Sequence, residues 1–238
     1  LLREVLRQHP AIGGLPGEGV RFTDALPRPE QFGWNRMWCR CVDQVRLDLG
    51  PAAAALARRA QRQWSVLYPS RPVLLEKSIA NAARVPFLAQ HFRPACFIYL
   101  VRNGYAVAEG IRRKAQPLQW GNKEFGERYP LPLCAQQWRD TDRLVRADQA
   151  QTERFLTLTY EDLTARPQQV LRQVTDFLDL EPLPPETCAD TFTVHGVVSP
   201  IRNLNPTSFG RLTPADLDAI EAVAAEELTL YGYKRPSP

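Results

Sequence analysis

Between Val73 and Lys114 the chain reads VLLEKSIANAARVPFLAQHFRPACFIYLVRNGYAVAEGIRRK. Two short runs of β-formers, Val73–Leu75 and Cys96–Val101, alternate with two stretches of helical apolar spacing, Ile79–His91 and Tyr105–Lys114. Strands that alternate with helices in this way build a parallel sheet. A cation follows each strand, Lys77 after the first and Arg102 after the second. Parallel order places such strand ends on one edge, where open α/β folds bind ligands. Two cations there, one of them at a helix start, point to an anionic ligand, a phosphate above all.

Composition narrows the partner. The 238 residues are 44% hydrophobic and 24% charged, as in a globular protein with a sizeable core. A net charge of +4 without a long basic run suits an anionic small molecule at least as well as nucleic acid. Trp34, Trp38, Trp64, Trp120 and Trp138 do not interleave with a basic stripe, which argues against a nucleic-acid platform. No apolar run reaches the roughly 18 residues of a membrane helix. Cys39, Cys41, Cys96, Cys134 and Cys188 are odd in number, and His9, His91 and His195 are widely separated, so no metal or redox spacing appears. Reduced structural thiols are the expectation.

Around this core the pattern continues. An opening helix ends near His9-Pro10, Ala11–Leu15 reads as a short strand, and Pro16-Gly-Glu-Gly19 as a turn. Thr23–Asn35 is Pro-rich and irregular, and Pro51–Trp64 is a helix with Pro at its start. Val73–Leu75 is expected to be buried, and Ile79–His91 to be one helix with Ala80, Ala83, Phe87 and Leu88 inward. Ala115–Tyr129 reads as a long surface loop. Helix Leu133–Gln151, strand Phe155–Tyr160 and amphipathic helix Pro167–Leu180 follow, then a loop over Thr187–Arg211. Thr213 caps a last helix that begins with Pro214 and stops at Gly232. No repeat or composition break divides residues 1–238, which read as a single domain.

Each candidate site residue has a bland alternative. Arg102, in Arg-Asn-Gly after the best strand, can grip a phosphate bidentately, or pair with a surface acid. Lys77 can neutralise a leaving group, or pair with its neighbour Glu76. Glu18 is a general base or an exposed turn residue. Arg202, in Ser-Pro-Ile-Arg-Asn-Leu-Asn-Pro, closes over a nucleotide or lies solvated. His9 and His91 each end a helix, where the dipole favours a cation.

Three stretches together carry a resemblance: LEKSIANAARVPFLAQHFRPACFIYLVRNGYAVAEGIRRK, LTLTYEDLTARPQQVLRQVTDFLDL and IRNLNP. In this order they resemble the PAPS-dependent sulfotransferases, in particular the bacterial and tyrosylprotein members. The resemblance implies an α/β, P-loop-like three-layer fold with a central parallel sheet. It implies transfer of a sulfuryl group from PAPS to a hydroxyl or amine of a small-molecule, carbohydrate or peptide acceptor, releasing adenosine 3′,5′-bisphosphate without a metal. By the same resemblance Arg102 holds the 3′-phosphate, Arg202 closes on it, and Tyr160 lies near the adenine. Lys77 sits by the departing group, Glu18 is the acceptor-activating base, and Ser199 steadies the transferring group.

Two departures accompany the resemblance. The family places a Ser eight residues after the strand-end Arg; here that position is Gly110, preceded by Glu109, whose carboxylate would repel a phosphate. Arg102 is then expected to act alone or with Ser78 or Arg202. The chain also begins without Met, with Leu1, Leu2, Val5 and Leu6 already in helical phase and no N-cap. It reads as starting after the family's first strand and 5′-phosphosulfate loop, which leaves the fragment inactive by itself and localisation unread. The alternatives are a non-catalytic nucleotide-binding module of the same fold and a P-loop small-molecule kinase, the latter requiring an upstream Gly-rich loop and Mg²⁺.

Overall fold

A computed structural model describes residues 1–68, 70–194 and 196–237, without the side chains of Val194 and Val197. His195 lies outside the described residues. The chain opens with α1 (Leu2–Leu6), whose Leu2, Val5 and Leu6 are buried, and then β1 (Ile12–Gly14). A region of 3₁₀ turns leads to α2 (Val42–Val45) and α3 (Ala53–Ser65). Next come β2 (Val73–Leu75), α4 (Val85–His91), β3 (Phe97–Val101) and α5 (Gly104–Lys114). The second half holds α6 (Leu131–Gln149), β4 (Phe155–Thr159), α7 (Tyr160–Ala165) and α8 (Pro167–Phe177). It closes with β5 (Thr191–Val194), β6 (Val197–Pro200), α9 (Asn205–Phe209) and α10 (Pro214–Leu230).

The fold is mixed α/β with parallel strands. β1 pairs with β2 in the register Ile12↔Val73 to Gly14↔Leu75, and β3 with β4 from Phe97↔Phe155 to Val101↔Thr159. Both pairs are parallel, as alternation with helices requires. Three expectations need correction. Val73–Leu75 is not a buried strand, since Leu74 is 57% exposed. The Ile79–His91 helix is interrupted: Ile79–Ala83 is a 3₁₀ turn, Arg84 leaves helical geometry at φ −121°, and α4 restarts with Pro86 in its first turn. Pro86 supplies the reason, because its ring excludes a preceding helical turn. Finally, the loop expected over Thr187–Arg211 contains an antiparallel hairpin, β5 with β6, in which Ser199 pairs with Phe192.

The core lies between the sheet pairs and their helices. One cluster joins Val101, Tyr105, Ala108, Cys134, Trp138, Ile220 and Leu228 of β3, α5, α6 and α10. A second joins Leu2, Val5 and Leu6 of α1 to Ile12, Leu158, Leu163, Val170, Leu171 and Val174. Gly104 lets α5 approach α6, because a β-carbon there would sit 2.7 Å from the Trp138 ring. Trp138 Nε1 in turn donates to the Arg102 carbonyl at 3.0 Å. The strand end that carries Arg102 is thereby anchored to the largest packed layer.

Candidate active site

Two constellations form at the C-terminal ends of the parallel pairs. The first belongs to β1 and β2. Successive residues leaving a strand point to opposite sides, and Glu76 and Lys77 separate accordingly. Lys77 is exposed and its Nζ lies 2.6 Å from Glu18 Oε1. Glu76 turns inward, where it accepts hydrogen bonds from Gly19 N at 2.7 Å, from Ser78 Oγ and from Asn81 Nδ2. Ser78 Oγ also accepts from Val20 N at 3.2 Å. Burial holds the Glu76 carboxyl above its ordinary range, against the opposing pull of these donors. A β-carbon on Gly19 would lie 2.5 Å from Glu76 Oε1, so only glycine admits this contact. The turn bearing Glu18 is therefore tied to the residues either side of Lys77.

The second constellation belongs to β3 and β4. Because Val101 is paired with Thr159, the next residues, Arg102 and Tyr160, emerge side by side. The Arg102 guanidinium lies over the Tyr160 ring, 4.6 Å from its centroid, and Nε donates to Asn205 Oδ1 at 2.8 Å. Among the described residues no carboxylate forms an ion pair with it. Burial lowers its pKa, while Tyr160, Glu161 and Glu109 pull in the other direction. A partly desolvated cation with one edge bonded and the outer edge open is suited to a bidentate anion.

Asn103 caps α5 by accepting from Tyr105 N at 3.0 Å. Glu161 collects donors from three parts of the chain: Asn103 N at 3.0 Å, Asn205 Nδ2 at 2.5 Å and Tyr233 OH at 2.9 Å. Tyr160 OH donates to the Arg202 carbonyl at 2.9 Å and accepts from Leu204 N at 3.0 Å. The 202–205 loop is thus fixed across the strand ends. Its Arg202 side chain is exposed and makes no hydrogen bond among the described residues.

A match to the sulfotransferase family spans residues 1–185. The chain belongs to the sulfotransferase family. A solved structure described as a sulfotransferase domain from the curacin biosynthetic pathway is 22% identical, with a TM-score of 0.61 over 99% of this chain and 93% of that one. It shares the fold. The sulfotransferase of Alicyclobacillus acidocaldarius is 15% identical with a TM-score of 0.49, over 97% and 92% of the two chains. No curated protein sequence matches.

In this sulfotransferase the structure brings Glu18 and Lys77 together, and gathers Arg102, Tyr160 and the backbone of Arg202. It does not join Ser199 to either group: Ser199 lies in β6, without a side-chain hydrogen bond among the described residues. Ser78 is not Arg102's companion, being committed to Glu76 and Val20; Asn205 takes that place. Gly110 faces open space on α5, and a β-carbon there would have no atom within 4 Å. Glu109 is buried and paired to Arg113 Nε at 2.8 Å, which offsets the repulsion expected from its carboxylate.

Sequence reasoning missed Asn205, Glu161, Lys114 and Arg36. Asn205 and Glu161 stand inside the two segments that carried the resemblance, but their contacts span long sequence separations. Lys114, at the end of α5, is held below its ordinary value by burial and then by Arg36, Arg113 and Arg102. Arg36 is depressed by burial, with Glu18 and Glu30 opposing and Arg113 and Arg21 adding to the shift.

His9 and His91 make their contacts away from both constellations. His9 accepts from Ala11 N at 3.1 Å through Nδ1 and meets the Glu181 carbonyl at 2.9 Å through Nε2, bonding α1 to the chain after α8. His91 ends α4 with its ring 5.1 Å from that of Phe87. All five cysteines are free, and burial pushes Cys39 and Cys134 up to about 12 and Cys41 to about 11. Among the described residues no three His, Cys, Asp or Glu side chains cluster as a metal site, and no helix is long and apolar enough to cross a membrane.

Proposed function

We propose that this sulfotransferase transfers a sulfuryl group from PAPS to a hydroxyl acceptor. The observation that carries the reading is the pairing of two half-sites: an acid–cation pair at the ends of β1 and β2, and an open guanidinium at the ends of β3 and β4. The residues fit the donor's nucleotide. Arg102 offers the outer edge of its guanidinium to the 3′-phosphate, with the N-terminus of α5 beside it. Tyr160 lies against the Arg102 plane and bonds the backbone of the 202–205 loop, which supports a role for Arg202 as a second positive charge. PAPS supplies a sulfuryl group already activated by its phosphate leaving group.

Glu18 takes the proton of the acceptor hydroxyl as the new O–S bond forms and the S–O bond to the 5′-phosphate breaks. Lys77 neutralises the charge that collects on the departing phosphate oxygen. Their mutual 2.6 Å contact holds the two side chains in place before substrates enter. This favours the enzyme over a non-catalytic module, for which a base beside a leaving-group cation has no use.

Calorimetric titration with adenosine 3′,5′-bisphosphate tests the donor half. Micromolar binding that Arg102→Ala weakens supports it; unchanged affinity in that variant defeats the assignment. Transfer of the labelled sulfuryl group from PAPS to a panel of hydroxyl acceptors, read as labelled sulfate ester with adenosine 3′,5′-bisphosphate released, tests the reaction itself.

A further inference from the structure

Arg36 is a cation that the proposed donor site leaves unused. It stands in the tight turn Trp34–Met37, closed by a 3.1 Å hydrogen bond from Met37 N to the Trp34 carbonyl. Its φ of 63° is left-handed, a conformation that is costly for a side chain of this size. Such strain persists only where the surroundings over-determine it. Here they do. Trp34 stacks on Tyr129 at 6.0 Å and packs against Phe125 at 5.8 Å, and Met37 is wholly buried. Asn35 donates to Glu30 at 3.1 Å and accepts from Gln116 N at 3.2 Å, which pins the turn to the chain just beyond α5.

The turn aims a half-buried guanidinium that has no ion-pair or hydrogen-bond partner among the described residues. Its two nearby carboxylates are engaged elsewhere, Glu18 by Lys77 and Glu30 by Asn35. The Asn35 bond to Gln116 N brings the turn to the end of α5, where Lys114 is exposed and Arg113 is already paired with Glu109. A half-buried guanidinium without a partner is an unfilled site for an anion, and an anion held by Arg36 and the exposed Lys114 would supply the missing counter-charge. The place lies where the 34–37 turn meets the end of α5, and Glu18 is among the carboxylates that act on Arg36.

We propose that Arg36, assisted by Lys114, binds an anionic group of the acceptor, a carboxylate in the first instance, and so presents the acceptor hydroxyl to Glu18. This rests on the sulfotransferase reading above for the role of Glu18, but not for the anion site itself. The substrate class it selects is a hydroxyl compound carrying a negative charge a short distance from the reacting oxygen.

The test compares 4-hydroxyphenylacetate with its uncharged amide, titrated calorimetrically into the full chain saturated with adenosine 3′,5′-bisphosphate. The acid is expected to bind about tenfold tighter than the amide, as befits a charge-assisted contact. Arg36→Ala should erase that preference and leave bisphosphate affinity within about twofold. Arg36→Lys, retaining charge without the planar fork, should keep part of it. Arg36→Gly should lose it while raising the thermal midpoint by about 2–4 °C, since glycine removes the left-handed strain. Equal binding of acid and amide, no binding of the acid, or a preference that survives in Arg36→Ala overturns the proposal. So does a loss of bisphosphate affinity in Arg36→Ala as large as in Arg102→Ala, which would place Arg36 in the donor half. Should the bisphosphate fail to bind the unaltered protein, the donor reading falls, and the acid–amide comparison run without it still decides the role of Arg36.

Discussion

Lys77 Nζ and Glu18 Oε1 lie 2.6 Å apart, although 59 residues separate them in sequence. The contact follows from parallel pairing: Gly14 is opposite Leu75, so the segments leaving both strands emerge at the same edge. Both side chains are partly exposed, and an ion pair in that setting adds little to stability. In the proposed mechanism its value lies in holding a base and a leaving-group cation in register.

Glu18→Gln should therefore leave the thermal midpoint nearly unchanged and lower kcat about 100- to 10,000-fold, the range expected for loss of a positioned base. Lys77→Ala should lower kcat with little change in the affinity for adenosine 3′,5′-bisphosphate. Steady-state kinetics alongside calorimetry separates the two. Unaltered kcat in Glu18→Gln would assign base catalysis to another group.

Arg102→Ala should weaken bisphosphate binding about 10- to 100-fold, the cost of one charge-assisted bidentate contact. Arg102→Lys should recover only a fraction, because lysine neither stacks on Tyr160 nor presents a fork. Titration at two salt concentrations checks this, with the ionic part of the difference shrinking as salt rises.

Tyr160→Phe keeps the ring beneath Arg102 and removes the hydroxyl that bridges Arg202 O and Leu204 N. The expected loss is about 1 kcal/mol of stability from the broken bridge. Bisphosphate affinity should fall by several-fold as the 202–205 loop loosens. Hydrogen exchange of the Leu204 amide is the direct readout, and unchanged protection would mean that Asn205 and Glu161 alone hold the loop.

Much of this was legible in the sequence, for identifiable reasons. Arg102, Lys77 and Tyr160 follow runs of β-formers, and parallel strand order places them just beyond the C-terminal ends of the paired strands. Thr213, Pro214 and Gly232 mark α10 by local chemistry, and the helix begins and ends there. The hairpin of β5 and β6 was not legible, because a Thr/Val/Ser-containing stretch interrupted by Gly196 has no strong period. The break at Arg84 was present in Pro86 but outweighed by the apolar spacing of Ala80, Ala83 and Phe87. Arg84 is itself fully buried, donating to the Val45 and Pro27 carbonyls, with burial lowering its pKa to about 10. Glu161 and Asn205 acquire their contacts from partners far along the chain, and no local pattern encodes those.

Gly110→Ser tests the departure from the family pattern. No atom lies within 4 Å of the added β-carbon, so the substitution fits, and serine is a better helix former than glycine by roughly 0.5 kcal/mol. The variant should be slightly more stable. If Gly110 faces the 3′-phosphate, as the resemblance implies, bisphosphate affinity should also rise by about two- to tenfold, the worth of one added hydrogen bond. A gain in stability without a gain in affinity would place the phosphate out of reach of this helix position.

The buried Glu76 gives the fold a pH signature of defined sign. Burial is the leading influence and raises its pKa in the folded chain, whereas in the unfolded chain it titrates near about 4.3. Between those two values the folded state holds a proton that the unfolded state has released, so stability falls as pH rises, by up to about 1.4 kcal/mol per pH unit. The contribution is fully present below the unfolded value and is lost as pH passes the folded one. Glu76→Gln keeps an oxygen for Gly19 N and Ser78 Oγ but cannot ionise. Denaturant melts of the two proteins from pH 4 to pH 8 should give a difference curve that turns steadily against the unaltered chain with rising pH, then levels off. A difference that moves in the opposite direction would mean that the hydrogen bonds from Gly19, Ser78 and Asn81 outweigh burial, leaving the Glu18 turn held by a carboxylate ionised throughout.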